Sequence, residues 1–125
     1  MRKIVDIKDC MKTFEGDGIP VTRAFPVPEM RENDPFLLFD HFGPINYQPG
    51  GATGVPAHPH CGFEAITYLL GGEVEHKDSW GGHAAIETGE YVWTAEEIFL
   101  TFPTNTFNKT SFPSSIVGMS FFLIC

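Results

Sequence analysis

Hydrophobic and polar positions along this chain form short alternating or apolar runs separated by turns. Residues 2–7 alternate charged and apolar side chains, as a half-buried strand does, while residues 36–42 form an apolar run. Further strands are predicted at residues 21–26, 58–70, 73–78, 83–87 and 91–94. No stretch of ten or more residues has convincing helical periodicity. The pattern therefore predicts an all-β sandwich or barrel.

Composition supports a small globular domain with many turns. The chain has 125 residues, of which 42% are hydrophobic and 14% aromatic, enough for one core. Its 13 glycines and 10 prolines predict frequent turns and a long loop over residues 43–56. We therefore expect a single domain.

Charge and cysteine content narrow the function classes. The net charge of −8 argues against direct nucleic-acid binding, which needs clustered Lys and Arg. The apolar run at residues 116–125 has about half the ~20 residues that a membrane-spanning helix needs. Three cysteines without CxxC spacing indicate neither a disulfide framework nor a zinc knuckle. We expect a soluble cytoplasmic protein without membrane contact, or a nuclear one in a eukaryote.

The chemistry of the chain is concentrated at His58-Pro59-His60. Two histidines separated by one residue leave the same face of a strand, and neutral imidazole is the commonest side-chain ligand for transition metals. His58 and His60 are therefore the candidate metal ligands. Alternation places Glu64 on their face, as a hydrogen-bond partner for a ligating imidazole, and Cys61 on the opposite face as a small buried residue.

The composition changes abruptly after residue 97. Residues 98–125 contain one charged side chain, Lys109, and six of the 12 phenylalanines, whereas residues 1–97 hold all 16 acids. Such a segment could complete buried strands, or it could be the product of a truncation or frameshift. If exposed, it would favour aggregation or a protein partner that covers it.

Two long blocks of sequence resemble the pirin family of the cupin superfamily. They are Asp-Pro-Phe-Leu-Leu-Phe-Asp-His-Phe-Gly-Pro at residues 34–44 and His-Pro-His-x-Gly-Phe-Glu-x-x-Thr-Tyr-Leu-Leu-x-Gly-Glu-Val-Glu-His-x-Asp-Ser at residues 58–79. The resemblance implies a cupin-type jelly-roll barrel, here a single and incomplete domain, because typical pirins are bicupins more than twice as long. Residues 1–97 would be the amino-terminal cupin and residues 98–125 a divergent tail.

The same resemblance implies a metal, usually iron, held by three histidines and one glutamate. The family's His-Pro-His motif maps onto His58 and His60. The family's His-x-Glu pair would fall near Thr101 and Pro103, but no histidine follows His83. The resemblance thus carries over half of the metal site, and Cys61 replaces the arginine usual after the motif.

Other side chains could complete a site with Fe(II) or another divalent metal. Glu96 and Glu97 are candidate carboxylates, and His76 or His83 could approach from neighbouring strands to make a two-histidine, one-carboxylate arrangement. The simpler interpretations place His76 on a solvated strand face and His83 in a turn. His41 beside Asp40 is interpreted as a structural histidine.

Three functions stay open. The first is a pirin-like, iron-binding, redox-responsive co-regulator that acts through protein contacts. The second is an oxygenase of the quercetin 2,3-dioxygenase type, with a flavonol-like substrate. The third is a truncated, metal-deficient pirin fragment without activity. No nucleophile elbow, phosphate-binding loop or other enzyme signature adds to these.

Overall fold

Every regular element in the described part of the chain is a β-strand. The computed structural model describes residues 3–4, 6–31, 33–48, 51, 54–94, 99–101 and 114–123. The strands are β1 (Met11–Glu15), β2 (Ile19–Phe25), β3 (Phe36–Tyr47), β4 (His58–Pro59), β5 (Glu64–Gly71), β6 (Glu73–Asp78), β7 (His83–Glu87), β8 (Tyr91–Thr94), β9 (Phe99–Thr101) and β10 (Ser114–Leu123). The predicted all-β class is confirmed. In the part of the chain that the structure describes, no helix is long and apolar enough to cross a bilayer.

The strands form two antiparallel sheets. The first has six strands in the order β1-β2-β3-β10-β5-β8, and the second has four in the order β4-β9-β6-β7. Contacts between β5 and β7 and between β10 and β6 bring the sheets together. Among the described strands, no hydrogen-bonded pairing joins one sheet to the other. β4 and β7 are thus the edges of the smaller sheet.

The core lies between these sheets and is formed by alternate residues of their strands. Leu69 is fully buried on β5, and Ala65 on the same strand is 5% exposed. Val21 and Phe25 on β2 and Ile86 on β7 are also buried, among the strand side chains that the structure describes. The spacing of four residues in β2 and in β5 is the period-two alternation expected of strands with one face turned inward.

Two predicted strands differ from the structure. Residues 2–7 are not a strand where described, because Ile4 and Ile7 are 82% and 84% exposed and pair with no other strand. The predicted strand over 58–70 is two strands, β4 and β5, which belong to different sheets. Gly62 lies between them with φ of +79°, a left-handed conformation that ends the extended backbone. Alternation therefore does not continue from His60 to Glu64.

The segment after residue 97 contributes a strand to each sheet. β9 lies between β4 and β6, and β10 lies between β3 and β5. Pairing with β10 also explains why β3 continues to Tyr47, opposite Ser114, instead of ending where the loop was predicted at residue 43. Whether this segment is the native continuation of the chain stays a prediction.

One buried hydroxyl joins β8 to β5 and gives a first testable prediction. Thr94 is 4% exposed, and its Oγ1 donates a hydrogen bond of 3.2 Å to the carbonyl oxygen of Ala65. Thr94→Val keeps the shape but removes the donor, so we expect the free energy of unfolding to fall by about 1 kcal/mol. Urea unfolding measures this. Thr94→Ser keeps the hydroxyl and is the control, so it should retain the contribution of the hydrogen bond. If both variants lost that contribution equally, the assignment of this hydrogen bond to stability would be contradicted.

Candidate metal site

The two candidate ligands lie at the start of the smaller sheet. β4 contains only His58 and Pro59 and pairs with β9 on one side, His58 opposite Leu100 and Pro59 opposite Phe99. A proline without an N–H group suits such a short edge strand. His60 follows β4 directly and is 3% exposed, whereas His58 is half-buried. The edge strand therefore places the imidazole of His58 at the margin of the protein, and the residue after the strand places that of His60 in the interior.

The two imidazoles converge on each other through their ε nitrogens. His58 Nε2 and His60 Nε2 are 2.9 Å apart. His58 Nδ1 lies 2.8 Å from the carbonyl oxygen of Pro56. Because a carbonyl only accepts, Nδ1 of His58 carries the proton and donates it, which leaves the Nε2 lone pair facing His60. Such a bond from the other ring nitrogen is how metal-ligating histidines are oriented.

The separation of the ε nitrogens fits one metal ion. Two imidazole nitrogens bound at 2.0–2.1 Å to the same ion and at right angles to each other would be about 2.9 Å apart. The observed Nε2–Nε2 distance is 2.9 Å. The pair therefore fits two adjacent coordination positions, and one shared ion would replace the proton between His58 and His60.

Burial keeps His60 in the form that a metal needs. Burial, followed by the proximity of His58 and His76, lowers the pKa of His60 to about 4. Neutral imidazole is the metal-binding form, and at neutral pH His60 has no proton to lose to solvent on binding. Phe63 packs beside it, with ring centroids 5.0 Å apart, and adds an apolar wall.

His76 lies on the inner face of β6, so its interpretation as part of a solvated face is wrong. It is 4% exposed, and burial lowers its pKa although Asp78 opposes that shift. Its Nε2 lies 3.8 Å from Asp78 Oδ2. The alternation of Val74, His76 and Asp78 with charged neighbours was the signal that could have identified it.

The remaining candidates lie elsewhere. His83 is exposed at the start of β7, and its Nε2 contacts Glu75 Oε1 on the outer face of the smaller sheet. Glu64 lies on β5 in the other sheet and accepts a 2.9 Å hydrogen bond from Trp93 Nε1. Cys61 is exposed, contrary to its predicted burial, because it follows the end of β4.

The other half of the expected site is not found in the described part of the chain. Thr101 is the last residue of β9, and Pro103, Glu96 and Glu97 lie outside the described residues. Among the residues that are described, no group of three His, Cys, Asp or Glu side chains is arranged to hold a metal ion. His58 and His60 thus fit as a pair of ligands, not as a complete set.

The chain is similar to known proteins over most of its length. The family model described as Pirin matches residues 18–97. The chain belongs to the pirin family. Pirin from Homo sapiens is 42% identical over 80 residues, covering 63% of this chain and 26% of human pirin. A pirin-like protein from Solanum lycopersicum is 44% identical over 79 residues, covering 63% of this chain and 25% of its relative. The chain therefore spans about a quarter of the length of these pirins.

Solved structures confirm the predicted cupin fold. A quercetin 2,3-dioxygenase from Acinetobacter baumannii superposes with a TM-score of 0.74 at 34% identity, covering 91% of this pirin-family chain and 41% of the dioxygenase. A cupin 2 conserved barrel domain protein from Salinispora arenicola has a TM-score of 0.63 at 14% identity, covering 97% and 90% of the two chains. The second match concerns the fold alone. This pirin-family chain thus has a cupin fold, and its histidine pair lies at the start of the smaller sheet.

Proposed function

We propose that this pirin-family cupin binds one divalent transition metal, Fe(II) in the first instance, through His58 and His60. The observation that carries the proposal is the 2.9 Å separation of the two ε nitrogens, which matches adjacent ligands of one ion. The orientation of His58 by the Pro56 carbonyl and the burial of His60 support it. The remaining positions would be taken by water, by an added ligand or by side chains outside the described residues.

Loss of either histidine should weaken metal binding. We expect His58→Ala and His60→Ala each to reduce Fe(II) affinity at least tenfold, since even residues that only orient ligands typically contribute 10–100-fold. Anaerobic titration calorimetry measures affinity and stoichiometry, with about one ion expected for the unaltered chain.

The matched control is His83→Ala. This histidine lies on the outer face of the smaller sheet and contacts Glu75 there, so its loss should leave Fe(II) affinity unchanged. An unaltered chain that binds no Fe(II), or a His83→Ala variant as weak as the other two, would overturn the proposal.

The leading biological role is that of a redox-responsive co-regulator acting through protein contacts. Exposed apolar side chains near one edge of the six-stranded sheet support a protein partner: Leu70 is 44%, Tyr91 61% and Trp93 56% exposed. Exposed thiols at Cys10 and Cys61 fit a reducing compartment such as the cytoplasm or nucleus. The metal would supply a redox-active, Lewis-acidic centre when bound.

The second candidate is a quercetin 2,3-dioxygenase activity. The structural similarity to the Acinetobacter baumannii dioxygenase favours it, as do the coordination positions that a two-histidine pair leaves open for a flavonol-like substrate. Oxygen consumption by the Fe(II)-loaded chain with quercetin distinguishes the two roles. Metal binding without oxygen consumption supports the co-regulator, whereas absence of both supports the metal-deficient fragment.

A further inference from the structure

The turn between β6 and β7 presents a tryptophan to solvent at one end of the smaller sheet. Trp80 is 77% exposed, the most exposed aromatic side chain among the described residues outside β-strands. Aromatic side chains carry a large apolar area. An exposed aromatic side chain that lies beside a functional centre is therefore a candidate contact surface. Its position relative to the histidine pair therefore matters.

Strand register brings this turn and the histidine pair to the same end of the sheet. β4 and β6 are both antiparallel to β9, so they run parallel to each other on its two sides. Leu100 on β9 lies opposite both His58 and Asp78. Two strand spacings, about 10 Å, therefore separate the backbones of His58 and Asp78. The residues that follow them, His60 and Trp80, leave the sheet at the same end.

The turn that carries Trp80 is held by hydrogen bonds to a single aspartate. Asp78 Oδ1 accepts from the backbone N–H of Trp80 at 2.9 Å and from that of Gly82 at 2.8 Å. The Asp78 N–H donates to the carbonyl oxygen of Gly82 at 3.0 Å. A Cβ at position 82 would collide with the Asp78 carboxylate, so a larger residue there would displace the group that holds the turn. An exposed indole on a fixed backbone is a preorganised contact surface.

A second aromatic ring lies beside the histidines. Phe63 packs against His60, with ring centroids 5.0 Å apart. An apolar ring is thus next to the buried member of the pair, and an indole lies at the same end of the sheet, across β9. This combination suits a flat aromatic molecule that reaches the pair with a polar edge and stacks with its face.

We propose that Trp80 is a specificity-determining residue at the histidine-pair site, where its indole stacks on a planar aromatic ligand whose oxygen atoms face His58 and His60. The proposal rests on the proposed metal site and on the flavonol-like ligand of the second candidate function, and it assigns a residue to the recognition of that ligand. A planar polyphenol has this chemistry, with a flat ring system for the indole and vicinal oxygen atoms for the pair. Quercetin is the probe that we choose.

The experiment is anaerobic titration of the Fe(II)-loaded chain with quercetin, which prevents turnover. Trp80→Ala should weaken quercetin binding about 3- to 10-fold, the range of an aromatic stacking contact, and Trp80→Phe should stay within about twofold of the unaltered chain. Trp93→Ala is the matched control. Trp93 is also exposed but lies on β8 in the other sheet and donates to Glu64, so its loss should leave binding unchanged.

A ligand comparison tests the requirement for a flat ring. Dihydroquercetin keeps the hydroxyl groups but has a saturated C2–C3 bond that breaks the plane. Its binding should depend on Trp80 less than that of quercetin does. Equal sensitivity of both ligands to Trp80→Ala would overturn the stacking role.

Metal titrations without quercetin separate failure of this inference from failure of the metal proposal. Fe(II) binding should be equal in the unaltered chain and in Trp80→Ala. If Fe(II) binds through the histidines and Trp80→Ala binds quercetin as tightly as the unaltered chain, the inference falls and the metal site stands. If Fe(II) does not bind but metal-free quercetin binding still depends on Trp80, the metal site falls and the stacking role stands. Absence of quercetin binding with and without Fe(II) overturns the inference.

Discussion

Asp40→Ala should lower the free energy of unfolding by about 1.5–3 kcal/mol, the range for losing hydrogen bonds to a charged group. Arg23 Nε donates to Asp40 Oδ1 at 2.8 Å and Arg23 Nη2 donates to Asp40 Oδ2 at 2.7 Å. Their side chains are 15% and 5% exposed. Hydrogen bonding to Asp40 raises the pKa of Arg23 above its usual value. The variant leaves this cation in place with Glu15, whose side chain is 47% exposed.

The magnitude follows from desolvation as well as from attraction. Arg23 loses its bidentate acceptor in a partly buried position and keeps only the half-exposed Glu15 carboxylate, so the folded state bears much of the loss. Small domains have total stabilities of about 5–15 kcal/mol, so this change is a large fraction of the whole. Equilibrium unfolding in urea measures it. If Asp40→Ala is too unstable to purify, Asp40→Asn, which keeps one acceptor oxygen, should show a smaller loss in the same experiment.

Two controls identify burial as the cause. Asp6 pairs with Lys8 at 3.4 Å, but these side chains are 61% and 40% exposed, so Asp6→Ala should cost no more than about 1 kcal/mol. The double variant Arg23→Met with Asp40→Leu removes both charges and should be more stable than Asp40→Ala. A loss below about 1 kcal/mol in Asp40→Ala would contradict the assigned role.

This ion pair also shows what local sequence patterns leave out. Arg23 and Asp40 are 17 residues apart and meet because β2 pairs with β3, with these two residues opposite each other. Local composition predicted both strands, the first as a strand-like run ended by Pro26 and the second as the apolar run at residues 36–42. It did not predict their pairing, which depends on register. The sequence around Asp40, the charged residue inside the apolar run of β3, therefore did not indicate that Arg23 is its partner.

The histidine site also has features that local sequence patterns predict and features that they do not. The convergence of His58 and His60 was predicted from their two-residue spacing, and it is observed although His60 lies just beyond the end of β4. The burial of His76 was also encoded in alternation, but its acidic and basic neighbours in the sequence obscured it. The separate positions of His60 and Glu64 could not be predicted by alternation, because the left-handed Gly62 interrupts the strand between them. Long-range pairing then assigned the two segments to different sheets.

Acidification should destabilise the metal-free protein through His60. Its pKa is lowered from 6.5 to about 4 in the folded chain, mainly by burial. Between these values the unfolded chain binds the proton and the folded chain does not, so stability falls as pH decreases. Above about pH 6.5, His60 is neutral in both states and does not lower the free energy of unfolding. Relative to that range, proton binding at His60 lowers the free energy of unfolding by about 2 kcal/mol at pH 5 and by about 3 kcal/mol below pH 4.

The measurement compares urea unfolding of the unaltered chain and of His60→Asn at pH 7 and pH 5, with a chelator present to keep both free of metal. Burial also lowers the pKa of His76, so some acid sensitivity should persist in the variant. The difference between the two proteins isolates His60 and should shrink by about 2 kcal/mol on going from pH 7 to pH 5. A His60→Asn variant whose pH dependence equals that of the unaltered chain would show that protonation of His60 does not oppose folding. The histidine pair would then meet Fe(II) without the advantage of a preformed neutral ligand.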